Sequence, residues 1–396
     1  MKDKKQNINK TLICLLAISA VVRIVLANWI ELGNDEAYYW TYALFPDWSH
    51  YDHPGMVGWV IQLFSLNLRF DSEFFLRLGS VFLMTVDTWL VYRIGKELKD
   101  ERTGLLAALL YTASVYAFVL TGVFILPDTP LNLFWLLAFW SLLKYVRKTS
   151  SKHLLWAGLF IGLSILSKYT GIFLWLGFLL YILFYDRKTF KQPALYLAVL
   201  ITAVCCLPIL LWNLQNDWIS FRFQGSRAQL IGPLTPMHFL KELGGEFLYN
   251  NPVNVVIAVL ALGAVSRHKL PLAPPVQRLL LLTALPMIGL FWLVSLTQAT
   301  LPHWSGPAYN LLLLLSALWL GTRTPKTQKT AVVLSLVTLA VILIGELPKL
   351  RLAWSPWTIT RKPPCAARTT SASTSMAGDK QEKNSKPSAR SKSPKA

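Results

Sequence analysis

The sequence predicts an all-α polytopic membrane protein that crosses the bilayer about eleven times. Its composition supports this class, because hydrophobic residues make up 54% of the chain and charged residues only 15%. An ordinary soluble domain carries roughly 25% charged residues. Apolar stretches of about 20 residues, the length that a helix needs to cross the hydrocarbon core, recur along the chain.

One apolar run is too long for a single crossing. Its 32 residues, Leu154 to Tyr185, would form a helix of about 48 Å. We expect the run to break near Ser167 to Gly171, and the lysines and arginines at both of its ends favour an even number of crossings. With this break, the expected spans are 11–27, 74–95, 104–121, 129–146, 154–167, 170–185, 193–212, 252–266, 278–296, 306–321 and 330–347.

The distribution of positive charge orients the chain. Four lysines precede the first span, and further lysines and arginines fall in alternate loops, which indicates a cytoplasmic N-terminus in residues 1–10. The membrane domain is expected at 11–347 and a basic, disordered tail at 348–396. The segments expected outside are 28–73, 122–128, 213–251 and 297–305.

Several other classes of function are disfavoured. The net charge of +19 does not indicate a nucleic-acid partner, since the basic tail and the positive-inside pattern account for much of the excess. The four cysteines show neither metal-ligand spacing nor a disulfide framework. The first apolar segment lacks a small-residue cleavage site, so we expect an uncleaved anchor.

The first outer segment carries adjacent acids, Asp35 and Glu36, followed by the histidines His50 and His53. Its tyrosines and tryptophans are also typical of an interfacial aromatic belt. The two acids are either helix N-caps or groups suited to general-base and phosphate chemistry.

Asp128 and Lys168 are the next candidates. Asp128 lies between two prolines at the start of a span, where it is either an N-cap or a second acid that holds a metal ion or the acceptor. Lys168 and Tyr169 lie at the predicted break. The lysine there either snorkels to the interface or offers its ammonium to a lipid phosphate.

Three further residues have weaker support. Arg222 belongs to a basic and aromatic stretch that either lies in the interface or holds an anionic headgroup. His303 is either a neutral interfacial histidine or a ligand-binding one. Asp87 falls within a span, where a charged residue is a functional candidate, although a partnered structural aspartate gives the same pattern.

In this order, the motifs resemble the polytopic glycosyltransferases of GT-C fold that use polyprenyl-phosphate sugars. This protein O-mannosyltransferase-like superfamily includes bacterial enzymes that modify lipid A. The resemblance covers about residues 10–320 and rests on NDEAYYW at 34–40, YDHP at 51–54, LPDTP at 126–130, LSKYT at 166–170, LWN at 211–213 with WISFRFQ at 218–224, and HW at 303–304.

The resemblance implies that Asp35, with Glu36 beside it, is the catalytic base and that Asp128 binds substrate or a metal. His53, Lys168, Tyr169, Arg222 and His303 are then expected to contact substrate or phosphate. It further implies an inverting transfer from a polyprenyl-phosphate sugar to a lipid, glycan or protein acceptor. The site would lie on the outer face of a bacterial cytoplasmic (inner) membrane. Lys168, His53 or a divalent ion, Mg²⁺ or Mn²⁺, would stabilise the departing phosphate.

Two alternatives stay open. A transporter or lipid flippase would show polar, broken helices at mid-membrane and repeated halves. The second alternative is a catalytically inactive relative that acts as a partner subunit. It stays open because Gly55 replaces a proline that is frequent in relatives and because the chain from Trp354 onward has an unrelated composition.

Overall fold

The computed structural model describes residues 2–227 and 232–353, and within these ranges it contains helices and no β-strand, which confirms the all-α class. A π-helix spans Tyr116–Leu120, and 3₁₀ helices span Tyr169–Ile172 and Arg187–Lys191. The α-helices are α1 (Lys2–Trp29), α2 (Asn34–Leu44), α3 (Met56–Phe64), α4 (Glu73–Leu98), α5 (Glu101–Ala113), α6 (Asp128–Lys148), α7 (Ser151–Ser167), α8 (Phe173–Tyr185), α9 (Pro193–Gln215), α10 (Ile219–Arg227), α11 (Pro236–Tyr249), α12 (Pro252–Ser266), α13 (Pro274–Ser295), α14 (Gly306–Leu320) and α15 (Pro325–Ala353).

Every predicted span contains a helix, and the protein is a multi-pass membrane protein. In the described part, five helices are long and apolar enough to cross a bilayer, or six if α11 and α12, which meet at 100°, form one bent span. Three shorter apolar segments, 151–167, 169–185 and 306–320, add to these. The exact number of crossings stays a prediction.

Two long apolar runs are interrupted. The run from Leu154 breaks where expected, since α7 ends at Ser167 and Lys168 takes an extended conformation before the next helical turn. The expected span 104–121 is also broken, because Ser114 is extended and the π-helix follows it. Both interruptions place polar residues, among them Ser114 and Lys168, within otherwise apolar runs.

Small residues allow the helices to approach closely. A Cβ at Gly95 of α4 would lie 2.9 Å from the Cα of Gly104 in α5. Likewise, a Cβ at Gly158 of α7 would collide with the backbone of Ala198 in α9. Such contacts are typical of membrane helices, which gain stability from close packing. The large apolar core around Trp135 and Phe139 of α6 lies among these helices.

The segment 28–73, which is expected outside, contains two short helices, α2 and α3, and is not an open loop. At the other end, α15 continues to Ala353, beyond the expected end of the last span at 347. Most of the predicted tail, residues 354–396, lies outside the described residues.

Candidate active site

Glu36 is a buried structural carboxylate at the start of α2. It pairs with Arg77 of α4, whose Nε and Nη2 donate to the two carboxylate oxygens over 2.8 and 2.6 Å. Its oxygens also accept hydrogen bonds from the backbone N–H groups of Gly33 and Ile125, each at 3.0 Å. With four donors around it, Glu36 holds α2 against α4 and against the segment that precedes Asp128.

Asp35 lies next to Glu36 but faces a different environment. Its side chain is exposed in the first turn of α2. It lines a cavity of about 820 Å³ whose wall also includes His303. The adjacent acids therefore divide their roles, because Arg77 neutralises Glu36 whereas Asp35 faces open space.

Asp128 and Lys168 form a buried ion pair between the first turn of α6 and the break after α7. The Lys168 ammonium donates to Oδ2 of Asp128 at 2.7 Å, and the Tyr116 hydroxyl donates to Oδ1 at 3.1 Å. Lys168 therefore does not snorkel to the surface. Tyr116 reaches this position because its ring packs on Gly306, where a Cβ would collide with the ring.

His53 and His303 flank this ion pair as neutral imidazoles. The pKa of each histidine is lowered from 6.5 to about 4, mainly by burial. The positive charges of Lys168 and Arg227 contribute to this lowering, and the negative charge of Asp128 partly opposes it. Nδ1 of His53 is buried and has no hydrogen-bond partner among the described residues. Because it is neutral, His53 can take part in hydrogen bonds but carries no positive charge.

The loop that carries His53 is held in place from two directions. Its Asp52 carboxylate accepts hydrogen bonds from the hydroxyls of Tyr38, at 3.0 Å, and Tyr42, both on α2. From the other side, the Ser220 hydroxyl of α10 donates to the carbonyl of His50 at 2.8 Å. These tyrosines are thus more than an aromatic belt.

Tyr169 joins the loop to the break after α7. Its ring centre lies 6.5 Å from that of His53 and 5.9 Å from that of Phe221 in α10. The sequence motifs of the first loop, the break and α10 therefore meet at one place.

Two arginines of α10 differ in position. Arg222 is exposed and donates to the carbonyl of Asp217. The Arg227 guanidinium lies 5.3 Å from the ring centre of Phe223 and 4.6 Å from that of Trp304. Arg227, and not Arg222, therefore faces the two histidines.

The structure thus brings together six of the predicted residues, Asp35, His53, Asp128, Lys168, Tyr169 and His303. Glu36 also lines the cavity, but Arg77 engages both of its carboxylate oxygens, and Arg222 is exposed and bonded to Asp217. No role was predicted for Asp52, Arg77 or Tyr116, and Arg227 was a candidate only as part of the basic and aromatic stretch around Arg222. The cation–π partner of Arg227, Trp304, belongs to the HW motif, but the contact between them depends on which face of α10 meets Trp304 and is not apparent from the sequence.

The side chains around Asp128 do not fit a metal site. Within the described residues there is no group of three or more histidines, cysteines, aspartates or glutamates that could hold a metal ion. One Asp128 oxygen accepts from Tyr116 and the other from Lys168, so a metal would have to displace the ammonium. The tentative metal role of Asp128 stays a prediction without support from this donor set.

The comparisons with known proteins agree with the motifs. Residues 52–212 match the family model described as dolichyl-phosphate-mannose-protein mannosyltransferase. Over 309 residues the chain is 26% identical to the lipid A galacturonosyltransferase RgtD of Rhizobium johnstonii, which covers 77% of this chain and 64% of that relative.

Solved structures share the fold. ArnT from Cupriavidus metallidurans, bound to undecaprenyl phosphate, superposes with a TM-score of 0.68 at 17% identity, covering 85% of this chain and 64% of that one. The Archaeoglobus fulgidus oligosaccharyltransferase in complex with zinc and sulfate gives 0.51 at 17% identity, covering 86% and 52%. The predicted resemblance and the GT-C-type membrane fold are confirmed, and the chain spans 64% of the length of RgtD and ArnT.

Proposed function

We propose that this chain is an inverting glycosyltransferase that moves a sugar from a polyprenyl-phosphate donor to an acceptor on the non-cytoplasmic face of the membrane. One observation carries the proposal: the exposed carboxylate of Asp35 shares a cavity with His303, which adjoins the buried Asp128–Lys168 pair. A base and an anion-binding group thus occupy one site. The matched relatives, a lipid A galacturonosyltransferase and a protein bound to undecaprenyl phosphate, support the same chemistry.

In the proposed reaction, Asp35 accepts the proton of the acceptor hydroxyl. The acceptor oxygen then forms a bond to the anomeric carbon of the sugar. The bond from that carbon to the phosphate oxygen breaks, and its electron pair leaves with the polyprenyl phosphate. Asp35 suits the role of base because its exposed carboxylate is free of the pairing that neutralises Glu36.

The leaving phosphate gains negative charge, so cations placed beforehand lower the barrier. Lys168 and Arg227 are the cations of this site, and His53 adds a buried nitrogen that can donate a hydrogen bond. Before the donor binds, Asp128 and Tyr116 hold the Lys168 ammonium in position. Arg227 differs in that aromatic rings hold it.

The resemblance also implies a divalent ion, Mg²⁺ or Mn²⁺, and the Archaeoglobus neighbour was solved with zinc. Because both Asp128 oxygens are engaged, we assign no step of the reaction to a metal. We further propose that the protein resides in a bacterial cytoplasmic membrane with its N-terminus inside, on the support of the positive-inside pattern.

The direct test is sugar transfer by purified protein in nanodiscs, with a panel of polyprenyl-phosphate sugars and acceptors. Asp35→Asn is expected to reduce kcat by a factor of about 10² to 10⁴. Asp71→Asn, at an exposed acid of the same outer segment, should leave transfer unchanged. If folded wild-type protein transfers no sugar from any donor, a transporter or an inactive relative is the correct reading.

A further inference from the structure

Glu246 is a buried carboxylate of α11 that the proposed reaction does not use, and it is only 2% exposed. Nε1 of Trp292 in α13 donates to its Oε2 at 2.6 Å, and the Tyr309 hydroxyl of α14 donates to the same oxygen at 3.0 Å. The Ser305 hydroxyl, at the end of the segment 297–305, donates to Oε1. Glu246 therefore joins α11 to α13, to α14 and to the segment that connects them.

The same face of α11 contacts the segment 297–305 at two further points. One turn earlier, the Thr300 hydroxyl donates to Oε2 of the buried Glu242 at 2.7 Å. A Cβ at Gly245 would lie only 2.2 Å from Cγ of Pro302. Positions 242, 245, 246 and 249 are three or four residues apart, or adjacent, and so line one side of the helix. The segment is thus held against α11 with no room for an added methyl group.

The segment held in this way carries two residues of the proposed phosphate site. The ring of Tyr249, the last residue of α11, lies 6.4 Å from that of His303 at an angle of 80°. Trp304 packs on the Arg227 guanidinium, 4.6 Å from its ring centre. The contacts with α11 occur on both sides of these two residues in the sequence. Where α11 holds the segment therefore determines where His303 and Trp304 lie.

A carboxylate is a costly group at the position of Glu246. The groups that donate to it are uncharged, and a buried anion needs compensation that an apolar side chain of similar size would not. What the carboxylate adds is direction, because its two oxygens accept hydrogen bonds from three separate parts of the chain. Its contribution is therefore to the geometry of the segment.

On the basis of the proposed function, we infer that Gly245 and Glu246 are positioning residues for the polyprenyl-phosphate donor. Neither receives a proton or forms a bond in the reaction. They hold the segment 297–305 so that Trp304 keeps the Arg227 guanidinium at the phosphate site. A cation that is already in place binds a phosphate more tightly than one that must first be ordered.

The two adjacent glycines of α11 provide the first test. Gly245→Ala drives a methyl group into Pro302, whereas a methyl group at Gly244 meets no neighbouring element of the described chain within 4 Å. Both substitutions raise helix propensity equally. With undecaprenyl phosphate as the probe and purified protein in nanodiscs, Gly245→Ala should raise the Kd by about tenfold or more. Gly244→Ala should change the Kd by less than about twofold. Equal Kd values for the two variants would overturn the inference.

The second test separates the hydrogen bonds of Glu246 from its charge. Glu246→Gln keeps an oxygen that accepts from Trp292 and Tyr309, and its amide can donate to the Ser305 hydroxyl. Its Kd should stay within about threefold of wild type. Glu246→Leu keeps no acceptor, so its Kd should rise by about tenfold or more. If the glutamine variant bound as weakly as the leucine variant, the charge of Glu246 would be what matters and the inference would be wrong.

Tyr145→Phe controls for a general loss of stability. It removes a buried hydrogen bond of 2.8 Å to Thr189, at a point of α6 that lies about 25 Å along the helix from Asp128. This variant should melt at a lower temperature with an unchanged Kd, and a rise in Kd equal to that of Glu246→Leu would also overturn the inference. Wild-type protein that binds undecaprenyl phosphate but transfers no sugar would refute the proposed function alone. Wild-type protein that binds none would refute both.

Discussion

The Lys168 ammonium lies 2.7 Å from the Asp128 carboxylate, and the two side chains are only 5% and 2% exposed. Taking two charges out of water is costly, and a hydrophobic pair of similar size is often at least as stable. Stability alone therefore gives no reason for this pair. Its position does give a reason, because the pair lies between two buried histidines at the site of the proposed phosphate.

Breaking this pair should destabilise the protein more than removing it. Asp128→Asn and Lys168→Met each leave one buried charge without its partner, at an expected cost of about 3–5 kcal/mol. The double variant should be more stable than either single one, yet inactive. Thermal unfolding in detergent combined with transfer assays checks this, and additive losses in the double variant would contradict it.

Glu36 and Asp35 should give opposite responses to the loss of their charge. Glu36→Gln weakens the charge-assisted bonds to Arg77, each worth about 1.5–3 kcal/mol, so the melting temperature should fall. Asp35→Asn removes an exposed carboxylate, so activity should fall with little change in melting temperature. If Glu36→Gln melted like wild type and only its kcat fell, Glu36 would be the base.

The two arginines of α10 form a matched pair for donor binding. Arg227→Ala removes a cation from the site, and we expect the donor KM to rise at least tenfold. Arg222→Ala removes an exposed cation from the same helix and should change the donor KM by less than twofold. If Arg222→Ala raised the donor KM more than Arg227→Ala, Arg222 would be the residue that contacts the phosphate.

Stability should decline in mild acid because of the two buried histidines. Burial lowers the pKa of His53 and His303 to about 4 in the folded protein, below the 6.5 of an unfolded histidine. Between these values the unfolded chain binds more protons, so each histidine reduces stability by up to about 1.4 kcal/mol for each unit that the pH falls. Below pH 4 the loss is complete.

Melting temperatures recorded from pH 7 to 4 measure this effect. His53→Gln and His303→Gln should each flatten the decline. The exposed His268 provides the control, and His268→Asn should leave it unchanged. If His53→Gln and His303→Gln lost stability as steeply with falling pH as His268→Asn, the decline would be due to other titratable groups.

The sequence predicted the helical class, the break at Ser167 and most of the residues that meet at the site. The length of apolar runs, the asymmetry of charge and the order of motifs are local signals, and they can be identified in a single sequence. The partner of each residue is not local. Glu36 and Arg77 are 41 positions apart and Asp128 and Lys168 are 40 apart, so neither pairing was apparent from spacing.

The choice between Arg222 and Arg227 also depends on contacts between residues that are distant in the sequence. Five residues on a helix correspond to a rotation of about 140°, which places the two guanidinium groups on different faces of α10. Without knowing which face meets Trp304, the sequence offered no basis for preferring Arg227. The π-helix was missed because its residues are as apolar as those of a continuous span.

The bond from the Ile125 N–H to Glu36 links the first outer segment to the second. Glu36 immediately follows Asp35, and Ile125 lies three positions before Asp128, so one buried carboxylate connects the backbones that carry both acids. The separation between Asp35, the proposed proton acceptor, and the proposed phosphate pocket is thereby set when the protein folds. In the proposed reaction, substrates would then enter a frame of fixed dimensions, and little reorganisation would be left for each catalytic cycle.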